Sequence, residues 1–329
     1  MTRSSRRALL ARAAALCALP AGAALAQSPR SGYPSRPITL VVPFPPGGAT
    51  DLMARSIGQR FTRAWGQPVT IENKPGAGGM LAASQVAKAG ADGHTLFFGA
   101  GAQLAVNASL YSNVPYDTAR DFAPVALVGS VANLLVAHPS QPFARLADLI
   151  QRARAEPGKL SYASPGSGST AHLAMELLKV EAGLDIVHVP YKGAAGGVTD
   201  VLGNQVPLMI VSMPSVVGHV KTGKLVALGI TDLRRSPALP DVPPFADTLP
   251  GFEATGWYGL VAPAQTPAAI VQQLGAEVNA ALQDAEVRRS FESQGIQVLG
   301  SSPEQFAAHI AAETRKWATV IAKARIKAD

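Results

Sequence analysis

The groups in this chain best suited to chemistry are main-chain donors rather than reactive side chains. Pro43-Phe44-Pro45-Pro46-Gly47-Gly48-Ala49-Thr50 connects the apolar run 38–42 to a segment that opens Asp51-Leu52-Met53-Ala54-Arg55. An uncharged loop therefore sits at a strand-to-helix junction. Adjacent glycines let a guest approach the backbone closely, because no Cβ intervenes. The helix that follows offers unpaired N–H groups and the positive end of its dipole at the same place. Such a junction is a seat for a carboxylate or another small anion. The pattern recurs three times: with Ala77, Gly78 and Gly79; with Gly166, Ser167, Gly168, Ser169 and Thr170; and with Ala194 and Ala195. Four glycine-rich helix starts predict a site built mainly from backbone N–H groups.

Competing chemistries fit less well. Gly166-Ser167-Gly168-Ser169-Thr170-Ala171 matches a dinucleotide fingerprint, but the acidic partner expected about 20 residues on is out of place. Asp185 precedes the next strand, and that strand ends in Pro190-Tyr191-Lys192. Hydroxyls at Ser167, Ser169 and Thr170 suit carboxylate oxygens better. No G-x-S-x-G elbow is present. The six histidines are scattered without ligand spacing, so neither a metal nor a cofactor is expected. His172 follows the hydroxyl loop and is a candidate wall residue, with capping or packing as the alternative. Asp51 and Asp200 are first-turn carboxylates, for which favourable dipole placement is the simpler reading. Asp200 is the better candidate contact for a guest that carries an ammonium group. Phe44 and Tyr191 are placed to close over a small guest, and aromatics at 6% are too sparse for sugar platforms.

The N-terminus bounds the compartment. Arg3, Arg6 and Arg7 precede an apolar stretch, and Ala24-Leu25-Ala26 is a cleavage signal, so residues 1–26 read as a signal peptide and Gln27 as the first mature residue. Arg12 interrupts the stretch, which a membrane span of about 20 apolar residues would not allow. The one cysteine, Cys17, falls in this segment, leaving no disulfide in the mature chain. Four basic residues are lost with it, leaving 25 basic against 22 acidic, a net +3. That mild excess argues against a nucleic-acid partner.

Short apolar runs at 38–42, 69–72, 95–98, 160–163, 186–189, 208–211 and 225–230 alternate with amphipathic helical stretches, an α/β layered pattern of buried strands. Asn133–Pro139 and Tyr258–Pro263 look alike and read as two strands that carry the chain between lobes. On that reading residues 27–131 and 256–329 form the first lobe and 132–255 the second. Gly129, Gly256 and Gly259 lie at the expected hinges. Ser302-Pro303-Glu304-Gln305 is a capping box that opens a C-terminal helix.

Taken together, Pro43–Asp51, Glu72-Asn73-Lys74-Pro75-Gly76-Ala77-Gly78-Gly79, Asp92-Gly93-His94-Thr95-Leu96, His188-Val189-Pro190-Tyr191-Lys192-Gly193, Leu239-Pro240-Asp241-Val242-Pro243 and Gly256-Trp257-Tyr258-Gly259-Leu260-Val261-Ala262-Pro263 resemble the Bug family. These are the extracytoplasmic solute-binding proteins of tripartite tricarboxylate transporters. The resemblance implies a periplasmic α/β Venus flytrap of the type II binding-protein class, two lobes joined by two crossing strands. It implies a guest that is a small organic anion (a carboxylate or an amino acid), a membrane transporter as partner, a monomer and no catalysis. It puts the site at Phe44, Pro45, Gly47, Gly48, Ala49 and Thr50, at Ala77–Gly79, at Ala100 and Gly101, at Gly166–Thr170, and at Ala194, Ala195 and Asp200. Gly203-Asn204-Gln205-Val206-Pro207 departs from the family's usual Gly-Gly-Gln-Val-Asp. A sensory co-receptor and a secreted carboxylate enzyme are the alternative functions.

Overall fold

The computed structural model describes residues 32–324 and 326, so the signal segment read at 1–26 lies outside the described residues. Two sheets organise the chain. The first contains β1 (Ile38–Val42), β2 (Val69–Asn73), β3 (Thr95–Ala100), β4 (Phe122–Val131), β10 (Gly256–Pro263) and β11 (Ile296–Val298), in the order β11-β4-β10-β3-β1-β2. The second contains β5 (Asn133–Ala137), β6 (Ser161–Ser164), β7 (Val187–Pro190), β8 (Leu208–Ser212) and β9 (Val226–Ile230), in the order β7-β6-β8-β5-β9. The fold is the expected two-lobed α/β arrangement.

Each sheet has a parallel part, β1 with β2 and β3, and β6 with β7 and β8. Each also takes in an interior strand of opposite direction, and the first sheet has a second such strand, β11, at its edge. The interior strand is β10 between β3 and β4 in the first sheet, and β5 between β8 and β9 in the second. Both inserted strands are fully buried, which explains their continuous apolar sequence. Ala132 alone separates β4 from β5, and the chain returns at residues 254–256. There the Asn133 N–H donates to Thr231 Oγ1 at 2.9 Å and Asn133 Nδ2 to the Ala254 carbonyl at 3.3 Å, so the two crossings are tied side by side.

Two strands escape the sequence reading. β4 contains Pro124, which breaks the apolar run, and β11 is three residues long. The glycines near the crossings serve close packing: a Cβ on Gly259 would overlap the Phe306 ring, and one on Gly129 would stand 2.7 Å from the Gln297 carbonyl oxygen. At the point of departure from the family pattern, Asn204 takes a left-handed conformation (φ 53°). Asparagine tolerates that region better than most side chains, so it stands in for the glycine.

The helices that follow these strands are α1 (Ala49–Trp65), α2 (Met80–Ala87), α3 (Leu146–Ala155), α4 (Thr170–Ala182), α5 (Ala194–Leu202) and α6 (Val217–Lys221). The first sheet is completed by α7 (Ala268–Gln283) and α8 (Ala285–Ser293). The last helix, α9 (Pro303–Ala324), opens on the reciprocal bonds of the expected capping box between Ser302 and Gln305. Its Phe306 and Ile310 pack with Val41, Phe97 and Trp257 of the first-sheet core. Its Trp317 and Ile321 join Leu135, Tyr162 and Phe245 of the second. One helix thus contributes to both cores.

α1 is held at its start by Asp51, which is only 3% exposed. The Asp51 carboxylate accepts from the Gly47 N–H at 3.1 Å, Arg55 Nε at 2.9 Å and Asn73 Nδ2 at 2.9 Å, and Asn73 also donates to the Phe44 carbonyl. Burial alone would raise its pKa, but the bonds from Arg55, Asn73 and Gly47 outweigh that and hold it below the ordinary 3.8. A carboxylate with a depressed folded-state pKa contributes stability that is present in full above the ordinary value. That contribution is lost as the pH falls through the folded-state value. Asp51→Asn should therefore cost about 1–3 kcal/mol at neutral pH. Its urea midpoint should then fall less steeply than the wild type's as the pH drops from about 5 to 3. Parallel pH dependence in the two proteins would remove Asp51 from this role.

Candidate functional site

A cavity of about 520 Å³ opens between the two sheets, and residues of both lobes line it. From the first lobe come Phe44–Thr50, Ala100, Ala102 and Tyr258. From the second come Asn133, Pro165, Ser169–Ala171, Lys192–Gly196, Val198, Thr199, Leu202, Ser212, Ser215 and His219. The lobes touch beside it. A Cβ on Gly193 would stand 3.1 Å from Pro45 Cγ, and Tyr111 donates its hydroxyl to the Ser167 carbonyl at 3.2 Å. A volume of this size matches a small metabolite.

Two helices begin at this wall without a side-chain cap. The N-cap of α1 is Gly48 and that of α5 is Gly193, and neither start has a side-chain capping bond. Each therefore leaves first-turn N–H groups unsatisfied within its helix, with the positive dipole end facing the cavity. Gly193 adopts φ 119°, a region that strains any residue with a Cβ, so glycine is required there. At Gly48 the space is open: nothing lies within 4 Å of a would-be Cβ. Thr50, Ser169, Thr170, Thr199, Ser212 and Ser215 add hydroxyls around the wall. Lys192, His219 and Tyr258 are the ionisable side chains among its lining residues. The arrangement suits a guest with a concentrated negative charge and some apolar body, the latter against Phe44, Pro45, Val198 and Leu202.

Of the positions expected from sequence, Phe44, Pro45, Gly47, Gly48, Ala49, Thr50, Ala100, Ser169, Thr170, Ala194 and Ala195 share this wall. The others do not, each for a visible reason. The Gly166–Thr170 loop uses its own donors: Gly166 N–H bonds to Ser164 Oγ, Gly168 N–H to His172 Nδ1 at 3.0 Å, and the His172 N–H to Ser169 Oγ. His172 is thereby a buried brace that stacks on His188 with ring centres 4.1 Å apart. A Cβ on Gly168 would meet Leu110 at 2.6 Å, so packing by itself calls for glycine there. Ser167 contributes its carbonyl to Tyr111. The Ala77–Gly79 segment is a tight turn whose Gly78 carbonyl accepts from Gln103 Nε2 at 2.8 Å, and Gln103 Oε1 accepts from the Ala100 N–H. Gly101 packs on the Trp257 indole. Asp200 accepts from the Tyr191 hydroxyl, a bond that together with burial pushes the phenol up to about 12.

The wall residues that sequence reading misses include three polar groups on buried strands. Asn133 opens β5, Ser212 closes β8 and Tyr258 lies in β10. A small polar residue at the end of an apolar strand is the signal that Asn133 and Ser212 share. Among the described residues, no group of His, Cys, Asp or Glu could hold a metal ion, and no helix is long and apolar enough to cross a membrane.

Residues 53–326 match the family model of TctC, the tripartite tricarboxylate transporter family receptor. Protein BugT of Bordetella pertussis is 40% identical over 291 residues, spanning 88% of this chain and 89% of that protein. The solved structure of R. palustris Rpa4515 with adipate superposes with a TM-score of 0.87 at 38% identity, covering 90% of this chain and all of that one. MatC from Rhodopseudomonas palustris with bound malate gives a TM-score of 0.83 at 35% identity, covering 88% of this chain and all of that one. The match runs through both lobes and both crossings, and the chain belongs to the TctC/Bug family of periplasmic solute-binding receptors.

Proposed function

We propose that this protein captures a small carboxylated metabolite between its lobes and delivers it, without chemical change, to the membrane subunits of a tripartite tricarboxylate-type transporter. The carrying observation is that two uncapped helix starts, one from each lobe, meet on one cavity. A carboxylate completes both at once, with Ala49 and Thr50 donating from one side and Ala194 and Ala195 from the other. The adipate and malate held by the two R. palustris relatives support a guest of this class. In this reading residues 27–131 and 256–329 form one lobe and 132–255 the other, after removal of a signal peptide at 1–26. The protein acts as a periplasmic monomer, and reopening turns about the paired crossings. Lys192 is exposed and adds potential rather than the main bond.

A thermal-shift screen of mono-, di- and tricarboxylates and amino acids identifies the guest. A compound that binds only the folded protein should add about 2.7 kcal/mol at a hundredfold excess over its Kd. With that compound, Gly48→Val should cost about 1.5–3 kcal/mol of binding by calorimetry while the protein remains folded, because the side chain displaces the bond to a charged acceptor. Lys192→Ala should cost less than about 1 kcal/mol, as an exposed charge does. A reversed ranking would move the anion to the lysine. Small-angle scattering should show a smaller radius of gyration on adding the same compound, and an unchanged radius at saturation would contradict closure around the guest.

A further inference from the structure

The first crossing has two faces. Asn133 of β5 pairs with Ser212 of β8, and both line the guest cavity. One step along, the Met213 N–H donates to the Ala132 carbonyl at 3.0 Å, and these two residues line a different cavity of about 400 Å³. Successive residues of extended chain point to opposite sides, so the two cavities lie on opposite sides of the crossing. Both are bounded by the two lobes. The second is walled by Ile230, Asp232 and Arg235 from the second lobe and by Arg288, Ile296 and Val298 from the first.

Met213 reaches across this second space. It is only 1% exposed, and its thioether lies against Gly295 of the first lobe, just before β11. A Cβ on Gly295 would overlap Met213 Sδ and Cε, and its φ of 76° suits glycine alone. The contact is therefore a side chain of one lobe on the bare backbone of the other. In front of the crossing the lobes also touch, through Pro45 with Gly193 and Tyr111 with Ser167. Two bodies that turn about a shared joint approach on one side as they separate on the other. Opening the guest cavity thus presses Met213 onto the Gly295 backbone. Only the thioether can yield there, and an unbranched chain yields gradually.

Resting on the closing motion proposed above, though not on which anion is held, we infer that Met213 is a positioning residue for guest capture. It is a stop behind the joint, whose contact with Gly295 limits how far the ligand-free lobes swing apart. It lies outside the lining of the guest cavity, while Ser212 and Ser215 of the same turn belong to that lining. Its effect on affinity comes through the share of molecules already near the closed form, because apparent affinity scales with that share.

Met213→Ala removes the stop, Met213→Leu keeps most of its bulk, and Met213→Phe adds to it. Small-angle scattering without ligand should give Met213→Ala a larger radius of gyration than the wild type, Met213→Leu the same one and Met213→Phe a smaller one. In calorimetry with adipate or malate, Met213→Ala should bind roughly threefold or more weakly and Met213→Phe more tightly. The liganded radii of all four proteins should agree. A residue that only fills space would lower the melting temperature on truncation and leave the radius and the affinity unchanged. A ligand-free Met213→Ala radius equal to or below the wild type's, or a Met213→Leu that matches Met213→Ala, would overturn the inference. If Met213→Ala does not fold, a Met213→Phe radius no smaller than the wild type's overturns it. The ligand-free radii decide this whether or not either acid binds. Wild type that contracts on binding while the variants keep its ligand-free radius removes the stop alone. Wild type that binds without contracting, with all ligand-free radii equal, removes the closing motion as well.

Discussion

An α-helix cannot satisfy its own first turn, and this molecule places two such unfinished turns opposite one another. α1 and α5 start at Gly48 and Gly193, neither of which has a side chain to cap the helix. In an ordinary domain water or a serine would complete these ends. Here they face a cavity between lobes, where in the proposed function a negatively charged guest would meet both sets of donors and both dipoles. Asp51 keeps the first of these starts in place by binding the Gly47 N–H, Arg55 and Asn73 together. Its carboxylate thus shapes the loop without facing the guest. A site of this kind needs no lysine or arginine at its centre, which accords with how few ionisable side chains line the cavity.

The scaffold is arranged to deliver these turns. Parallel strands carry their helices from the same edge of each sheet, and a strand of opposite direction in each sheet brings the chain in from the other lobe. The crossings are adjacent and bonded from Asn133 Nδ2 to the Ala254 carbonyl. α9 adds a third link, with Phe306 in one core and Trp317 in the other. The joint is therefore not limited to the two crossing strands, and any closing motion must also be accommodated along this helix.

Much of the fold could be read from the sequence, because seven strands are short, largely apolar runs that fall within a residue or two of their positions. β4 could not, because Pro124 interrupts its pattern. The site was legible in outline and ambiguous in detail for a physical reason. Four loops share the glycine-rich pattern, but whether a helix start is open depends on what its neighbours do. Ser169 caps α4 by accepting from His172, and His172 returns a ring nitrogen to Gly168, so that loop closes on itself. The Ala77–Gly79 turn gives its carbonyl to Gln103. Only tertiary structure separates these from the open starts at Gly48 and Gly193. Asn133 and Tyr258 were hidden differently, inside strands whose other residues are core.

The account rests on one carboxylate being held by helix starts from both lobes. Amide nitrogen–proton correlation spectra, recorded while a bound diacid is titrated in, read those donors individually. The N–H signals of Ala49, Thr50, Ala194 and Ala195 should all move downfield and saturate together at the calorimetric Kd, while those of Gly166 and Gly168 change little. Movement confined to one lobe, or larger shifts at Gly166 and Gly168 than at the four named amides, would contradict it.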